Sequence, residues 1–387
     1  MSRARTFADL ATASEEGSLA SPNMLINGDM AIAQYGTSLS IVHDGTSAGY
    51  ACDRWLVQET QHDELEGTLA QVAVTDLAGF THALKWTTTE PESAIAANEA
   101  FDICQKIEAQ NCQRLAYGLS SAKRATLSFW VKSSVTGTYG VNFYKDDSAG
   151  SLTTKNFTST YAISSADTWE KKTITVPADT ASSGGITDDN GEGLRISWHL
   201  GTGSDFTSQD TSAAWTDYTN AGWAYGHAQN GVVTTDNATW FLTGVQFEIG
   251  DVATPFKHES FADNIARCLR YYQKSYDYGT APGTATTGGE LGNDGFDNDD
   301  VSSSVQLIDF HSYYCELRDA PTTTLYDIAG TAGKVSGVKH GINEYNGEGG
   351  VVFRGGTKNY SVHRPSDASS RNDINSVRWH FTAQSEL

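Results

Sequence analysis

Four aromatic side chains, Trp215, Tyr218, Trp223 and Tyr225, stand close together in one polar stretch of the chain. Rings in such a setting suit carbohydrate, because the apolar face of a sugar stacks on an indole or phenol while neighbouring polar groups bond its hydroxyls. Trp130, on the outward side of a strand pattern, offers the same chemistry. The same rings can equally pin an irregular loop to a sheet, and the sequence leaves both readings open. A second constellation is Asp294, Asp297 and Asp299 in the run DGFDNDD. Clustered carboxylates in a glycine-containing loop can wrap calcium, although the spacing is not that of an EF-hand and a solvated acidic linker reads the same way. Asp188, Asp189, Asn190 and Glu192 form a similar loop. No other cofactor is expected.

HExxH and a phosphate loop do not occur in the sequence, and no Cys/His pairing is singled out by spacing among the 10 histidines. Gly118–Ala122 (GLSSA) only superficially resembles a nucleophile elbow, since it follows no convincing buried strand and ends in alanine. With 47 acidic residues, no carboxylate pair of the kind used in glycoside hydrolysis can be picked from sequence. The expectation is a chain that is not an enzyme.

The elements that must position these groups read as β-structure. The 387 residues include 37 glycines, 7 prolines and 11% aromatics, with short alternating runs of Thr, Ser, Tyr and Trp. The net charge of −21 opposes attachment to nucleic acid or anionic membrane. Neither a signal-type apolar run nor a stretch of about 18 apolar residues is evident, so membrane insertion is not expected and synthesis in a cytoplasm is. The five cysteines, without CxxC spacing, are expected to be reduced and buried.

The clearest strand is Ala125–Lys132, with Leu127, Phe129 and Val131 inward and Ser128, Trp130 and Lys132 outward. Others are expected at Met24–Asn27, Gly140–Tyr144, Lys172–Val176, Leu194–Leu200 and from Trp240. In that last strand Phe241, Thr243, Val245, Phe247 and Ile249 share one face. Long surface loops are expected around 146–168, 181–193 and 201–238. A helix over Ser260–Gln273 carries the stripe Phe261, Ile265, Cys268, Leu269 and Tyr272, leaving Arg270 and Tyr271 for a symmetry mate in a homo-oligomer, expected as a trimer. The resulting plan is all-β. It comprises an anchoring arm (1–20), a jelly-roll-like β-sandwich (21–258), a connecting helix (259–274), an acidic Gly-rich linker with a first strand (275–317) and a small C-terminal β-domain (318–387).

Several motifs resemble a family of virion structural proteins of tailed bacteriophages, of tail-fibre, baseplate or decoration type. They are Asn23–Gly36 (NMLINGDMAIAQYG) followed by Asp53-Arg54-Trp55, TLSFWVK at 126–132, and WFLTGVQFEIG with Ala253–Phe256 and CLRYYQ. Arg318, Ala320, Pro321, Thr322 and the final AQSEL add to them. The resemblance implies a noncatalytic particle component located on the virion. Residues 1–20 would hold other virion proteins, and the chain would serve host attachment through a surface glycan. The alternatives are a glycan-active depolymerase or carbohydrate-binding module, and a capsid or tail decoration without receptor role. The sandwich also resembles carbohydrate-binding jelly rolls, whose first strand reads Asn-Gly-Asp/Ser-Phe-Glu. Here Asn27-Gly28-Asp29-Met30 is followed by Ala31, and Gly244-Val245 stand where that family's closing acidic pair would be, so ligands of its structural calcium are missing.

Overall fold

The computed structural model describes residues 23–42, 48–146, 152–294, 305–339, 343–349, 351–353, 355–365 and 376–387. The anchoring arm, Asp297 and Asp299 lie outside them, as does the side chain of Asp294. The chain forms two compact units. The larger takes in 23–33, Thr37–Phe261 and Leu387, and the smaller Gln34–Gly36 and Ala262–Glu386.

The larger unit is a sandwich of two antiparallel sheets. Its strands are β1 (Ser38–Ile41), β2 (Ala48–Cys52), β3 (Trp55–Thr60), β4 (Glu66–Ala73), β5 (His82–Glu90), β6 (Ala100–Glu108), β7 (Ala125–Ser133), β8 (Gly137–Lys145), β9 (Lys155–Ile163), β10 (Glu170–Val176), β11 (Glu192–Thr202), β12 (Thr216–Asp217) and β13 (Thr239–Ile249). One sheet has six strands in the order β1-β4-β5-β13-β7-β10, the other seven in the order β12-β9-β8-β11-β6-β3-β2. Strand alternation fills the space between them. From the six-stranded sheet come Leu69, Leu84, Trp86, Leu127, Phe129 and Val131, and from the seven-stranded sheet Trp55, Val57, Phe101, Ile103, Val141, Phe143, Ile196 and Trp198, all buried. Trp198 meets Phe129 edge-on, their centroids 5.6 Å apart. Four of the five free cysteines are buried and the fifth, Cys315, is half-buried.

The expected single face of β13 is corrected by a bulge. Thr243 pairs with Trp130 but Gln246 pairs with Ser128, so one extra residue enters the strand. Before the bulge the even positions Trp240 and Leu242 face the core; after it the odd positions Val245, Phe247 and Ile249 do. Phe241 is thereby turned outward. Gly244 occupies the bulge at φ +61°, and a Cβ there would stand 2.6 Å from the Phe80 ring. The bulge also receives the first motif. Asn23 Nδ2 donates to the Val245 carbonyl at 2.7 Å, Val245 N to Gly28 O at 2.8 Å, and Phe247 N to Asn23 Oδ1 at 2.9 Å. Residues 24–27 consequently run as a bent, buried segment and not as the expected strand. Asn27 continues the network, its Nδ2 donating to the carbonyls of Ile32 and Asp53 while its own carbonyl accepts the Trp55 indole at 2.9 Å.

Two of the expected long loops are more ordered than their composition suggests. The 146–168 stretch contains β9, paired along its length with β8. The 201–238 insertion contributes β12 to the sheet edge and a helical turn, α2 (Gly231–Thr234), which follows α1 (Ala109–Cys112) in the chain.

In the smaller unit, helix α3 (Phe261–Cys268) places Asp263 in its first turn and Arg267 in its last, complementing the helix dipole. It ends earlier than expected, because Tyr272 onward pairs as strand β14 (Tyr272–Lys274). Tyr271 is 1% exposed, which corrects its expected availability to a symmetry mate; Arg270 is half-buried. The remaining strands are β15 (Leu291–Asp294), β16 (Val305–Ser312), β17 (Thr322–Tyr326), β18 (Lys334–Lys339), β19 (Asn343–Gly349), β20 (Val351–Phe353), β21 (Asn359–Pro365) and β22 (Ser376–Gln384). β22 is the organising strand, pairing with β14, β15, β17 and β18. Within 275–317, residues 275–290 run as turns and irregular chain, and β15 and β16 then join this β-unit, two strands where a linker with one strand is expected. Its core gathers Tyr313, Leu325, Val335, Tyr360, Val362, Trp379 and Phe381.

Candidate functional site

Because Phe101 and Ile103 of β6, Val141 and Phe143 of β8, and Ile196 and Trp198 of β11 point into the core, the residues between them point out. The outer face of the seven-stranded sheet therefore carries Asp102, Cys104 and Lys106 beside Arg195, Ser197 and His199, and beside Gly140, Asn142 and Tyr144. Register places Ser197 opposite Asn142 on one side and Cys104 on the other, and sets His199 opposite Asp102.

The 203–230 insertion folds over part of this face. Asn156 Nδ2 donates to the Gly222 carbonyl at 2.8 Å, and Gly140 N donates to His227 Nδ1 at 3.0 Å. His199 Nε2 lies 3.1 Å from the Trp223 carbonyl, which makes it the protonated nitrogen and leaves Nδ1 as the acceptor. Burial lowers the pKa of His199 to about 3 and of His227 to about 4, so both imidazoles are neutral near pH 7.

At the margin of the insertion, three rings form a corner. Tyr144, Tyr218 and Trp223 stand 5.1 to 5.9 Å apart by centroid and meet at steep angles. Tyr144 and Tyr218 are half-buried, whereas Trp223 is 8% exposed and supports them from below. The Arg195 guanidinium lies 5.1 Å over the Tyr144 ring. Its Nε and Nη2 donate to the two Glu192 oxygens at 2.8 and 3.0 Å, and its Nη1 to Gln58 Oε1 at 3.4 Å. Lys106 Nζ adds a 3.1 Å ion pair to Glu192. Burial pushes the Asp102 carboxyl up to about 6, against the lowering pull of Arg195, Ser197 and Trp223. The arrangement presents ring surface, a fixed guanidinium and carboxylates together, which is what a polyhydroxylated ligand requires.

The face is also unfinished. Asp102 Oδ2, both amide atoms of Asn142, Asn156 Oδ1 and His199 Nδ1 are buried without a protein hydrogen-bond partner. Such atoms are met by ordered water or ligand in a folded protein.

Of the residues expected from sequence, Tyr218 and Trp223 are brought together here. Trp215 is not. It packs in the core against Tyr117 and Phe157, donates its indole N–H to the Pro177 carbonyl at 2.8 Å, and lies under Lys145. Tyr225 is half-buried and its hydroxyl bonds Asp210. Trp130 is half-buried on the outer face of the other sheet, against the Gly244 bulge. Tyr144, Arg195, Asp102, Lys106 and Gln58 went unrecognised as site residues. The available signal was the polar half of each strand's alternation, which shows its meaning only once β6, β8 and β11 are known to be neighbours.

No family model and no curated protein matches the chain. Among solved structures, a putative sugar binding protein from Bacteroides thetaiotaomicron is 16% identical, with 59% of this chain and 100% of that chain covered at a TM-score of 0.32. The enzymatically active domain of tailspike protein 4 of Bacteriophage CBA120 is 13% identical, with 59% of this chain and 21% of that chain covered at 0.30. A family 11 carbohydrate-binding module from Clostridium thermocellum, in complex with a β-1,3-1,4-mixed-linked tetrasaccharide, is 9% identical, with 57% and 99% covered at 0.28. Likenesses this distant transfer no function, and the all-β sandwich is established by this chain's own strand pairing.

Proposed function

We propose that the chain is a glycan-binding structural component of a phage virion, which takes sugar on the outer face of its seven-stranded sheet and leaves it uncleaved. The observation that carries the binding reading is the corner made by Tyr144 and Tyr218 over Trp223, with Arg195 clamped beside it by Glu192 and Gln58. Half-exposed rings supply stacking surface, while a guanidinium held by two partners loses little further freedom when a sugar hydroxyl accepts from it. The virion reading is supported by the paired motifs at Asn23–Gly36 and Trp240–Gly250, whose resemblance is to phage particle proteins. Within that reading residues 1–20 anchor the chain to other virion proteins, and the particle carries it as a homotrimer.

A second reading, cleavage of the bound glycan, is favoured by one feature. Asp102, held up to about 6, has the proton affinity of a general acid. It is nonetheless 4% exposed, beneath the insertion, where a glycosidic oxygen has no approach without displacement of Trp223. Titration of the full chain with oligosaccharides from host surface polysaccharide, run beside an assay for new reducing ends, separates the two. Saturable binding, weakened at least tenfold by Tyr144→Ala and with no reducing ends released, is expected. Release of reducing ends that Asp102→Asn abolishes establishes cleavage instead, and binding untouched by Tyr144→Ala removes the face from consideration.

A further inference from the structure

Away from the seven-stranded face, the sandwich holds a buried cluster of ionisable groups that neither the fold nor the proposed binding role uses. His62 lies in the β3–β4 connection, and Glu92 and Glu99 lie in the β5–β6 connection. All three are buried, at 1%, 1% and 4% exposure. His62 Nδ1 is 3.3 Å from Glu92 Oε2 and 3.8 Å from Glu99 Oε2, and the three donor atoms all fall within 4.8 Å of one another. Among the described residues, no lysine or arginine pairs with either glutamate. The Asp63 carboxyl also contacts Glu92, so like groups crowd one another. His62 Nε2 is buried with no partner, and the ring is set edge-on against Phe101.

Two buried carboxylates converging on one imidazole, with no lysine or arginine of the described residues beside them, are costly unless protons or a cation neutralise them. The donor set decides which cation suits. Calcium and magnesium prefer shells of oxygen alone, whereas one imidazole nitrogen with carboxylate oxygens matches zinc and its neighbours. Donors held about 2.0–2.2 Å from a tetrahedral zinc lie roughly 3.2–3.5 Å from each other. The His62–Glu92 separation already meets this, and the others close by modest side-chain movement. Glu99 Oε2 is steadied by the Ala96 N–H at 2.7 Å, and Asp63, which contacts Glu92, could itself serve as a fourth donor.

We propose that His62, Glu92 and Glu99 bind a divalent transition-metal ion of the zinc class, which staples the two sheets together. The topology gives the staple its purpose. β3 and β6 are neighbours in the seven-stranded sheet and β4 and β5 in the six-stranded sheet, so the two connections cross between sheets side by side. An ion held by both connections ties one sheet to the other. The site is separate from the sequence positions where related jelly rolls hold calcium, which are filled here by Ala31, Gly244 and Val245.

The test uses the full chain, stripped with a chelator and titrated with Zn²⁺, with Ca²⁺ as comparison, by calorimetry and thermal unfolding. One equivalent of Zn²⁺ should bind and raise the Tm, and Ca²⁺ should bind at least tenfold more weakly. Glu99→Gln and His62→Asn should each lose about 100-fold or more in zinc affinity. Equal zinc binding by the wild type and both variants, or tighter binding of Ca²⁺ than of Zn²⁺, overturns the proposal. Should the variants fail to fold, the wild type decides alone: an unchanged Tm across the zinc titration contradicts the staple.

Discussion

The two outer faces of the sandwich are built from the same alternation and finished differently. On the six-stranded sheet, Lys132 Nζ lies over both Trp169 and Phe241 and pairs with Asp76 at 2.8 Å, while Asp76 also accepts the Trp169 indole at 2.9 Å. Gln246 donates to Glu248 and Thr254 and accepts from Lys257 N. Trp169 and Phe241 thus each have a cation of their own chain over the ring. On the seven-stranded sheet the described residues include Asp102, Asn142, Asn156 and His199 with buried polar atoms unmet, and none of the buried unmet side-chain atoms belongs to a strand of the six-stranded sheet. A face whose hydrogen bonds are closed within the chain serves stability. One that leaves buried polar atoms unmet gives up some of its own stability.

The comparison can be broken at several levels. The largest effect is expected from Gln246→Leu, which unties the closed face: loss of three hydrogen bonds and stranding of the Lys257 N–H should destabilise by about 3 kcal/mol in denaturant unfolding. A smaller loss than that of Asn142→Leu would reverse the roles assigned to the faces.

Acid should act through the open face as well as through buried His62. His199 and His227 titrate near 6.5 when unfolded but at about 3 and about 4 when folded. The unfolded state therefore binds the extra protons, and stability falls as pH drops from about 6.5 towards 4. Asp102, raised to about 6, works the other way between its unfolded value of 3.8 and 6, because there the folded state holds the proton. For these three groups alone, the net loss between pH 7 and 5 is on the order of 2 kcal/mol. His199→Asn should flatten the pH profile of Tm by up to one proton's worth of slope; an unchanged profile would locate the acid sensitivity elsewhere.

Next come the rings. Tyr144→Ala should weaken glycan binding about tenfold, or about 1.4 kcal/mol, whereas Trp169→Ala on the closed face should leave it within twofold. Smallest is Asn142→Leu. Because both amide atoms already lack protein partners, an apolar side chain of similar size should change stability by less than about 1 kcal/mol in either direction.

Much of the fold is legible in the sequence, and the parts that are not share a physical cause. The alternation of Leu127, Phe129 and Val131 predicts β7 directly. Where a bulge intervenes, alternation misleads. Gly244 shifts the phase of β13, and nothing local to residues 240–249 reveals that Trp240 and Phe247 share a face. The two most recognisable motifs are legible as motifs but not as partners. Asn23 and Val245 lie far apart in sequence, and their hydrogen bond is a property of tertiary structure. The proposed binding face suffers from the same limit. Tyr218 and Trp223 are visible because aromatics cluster in one loop, yet Tyr144, Arg195 and Asp102 come from three strands whose adjacency no linear pattern records.

The central claim is that the open face, and not the closed one, takes glycan. It is tested most directly by following the nine tryptophan indole resonances of the isotope-labelled chain by NMR during titration with host-surface oligosaccharide. The account predicts that Trp223 shifts saturably while Trp130 and Trp169 stay in place. Shifts confined to Trp130 or Trp169, with Trp223 unmoved, would contradict it.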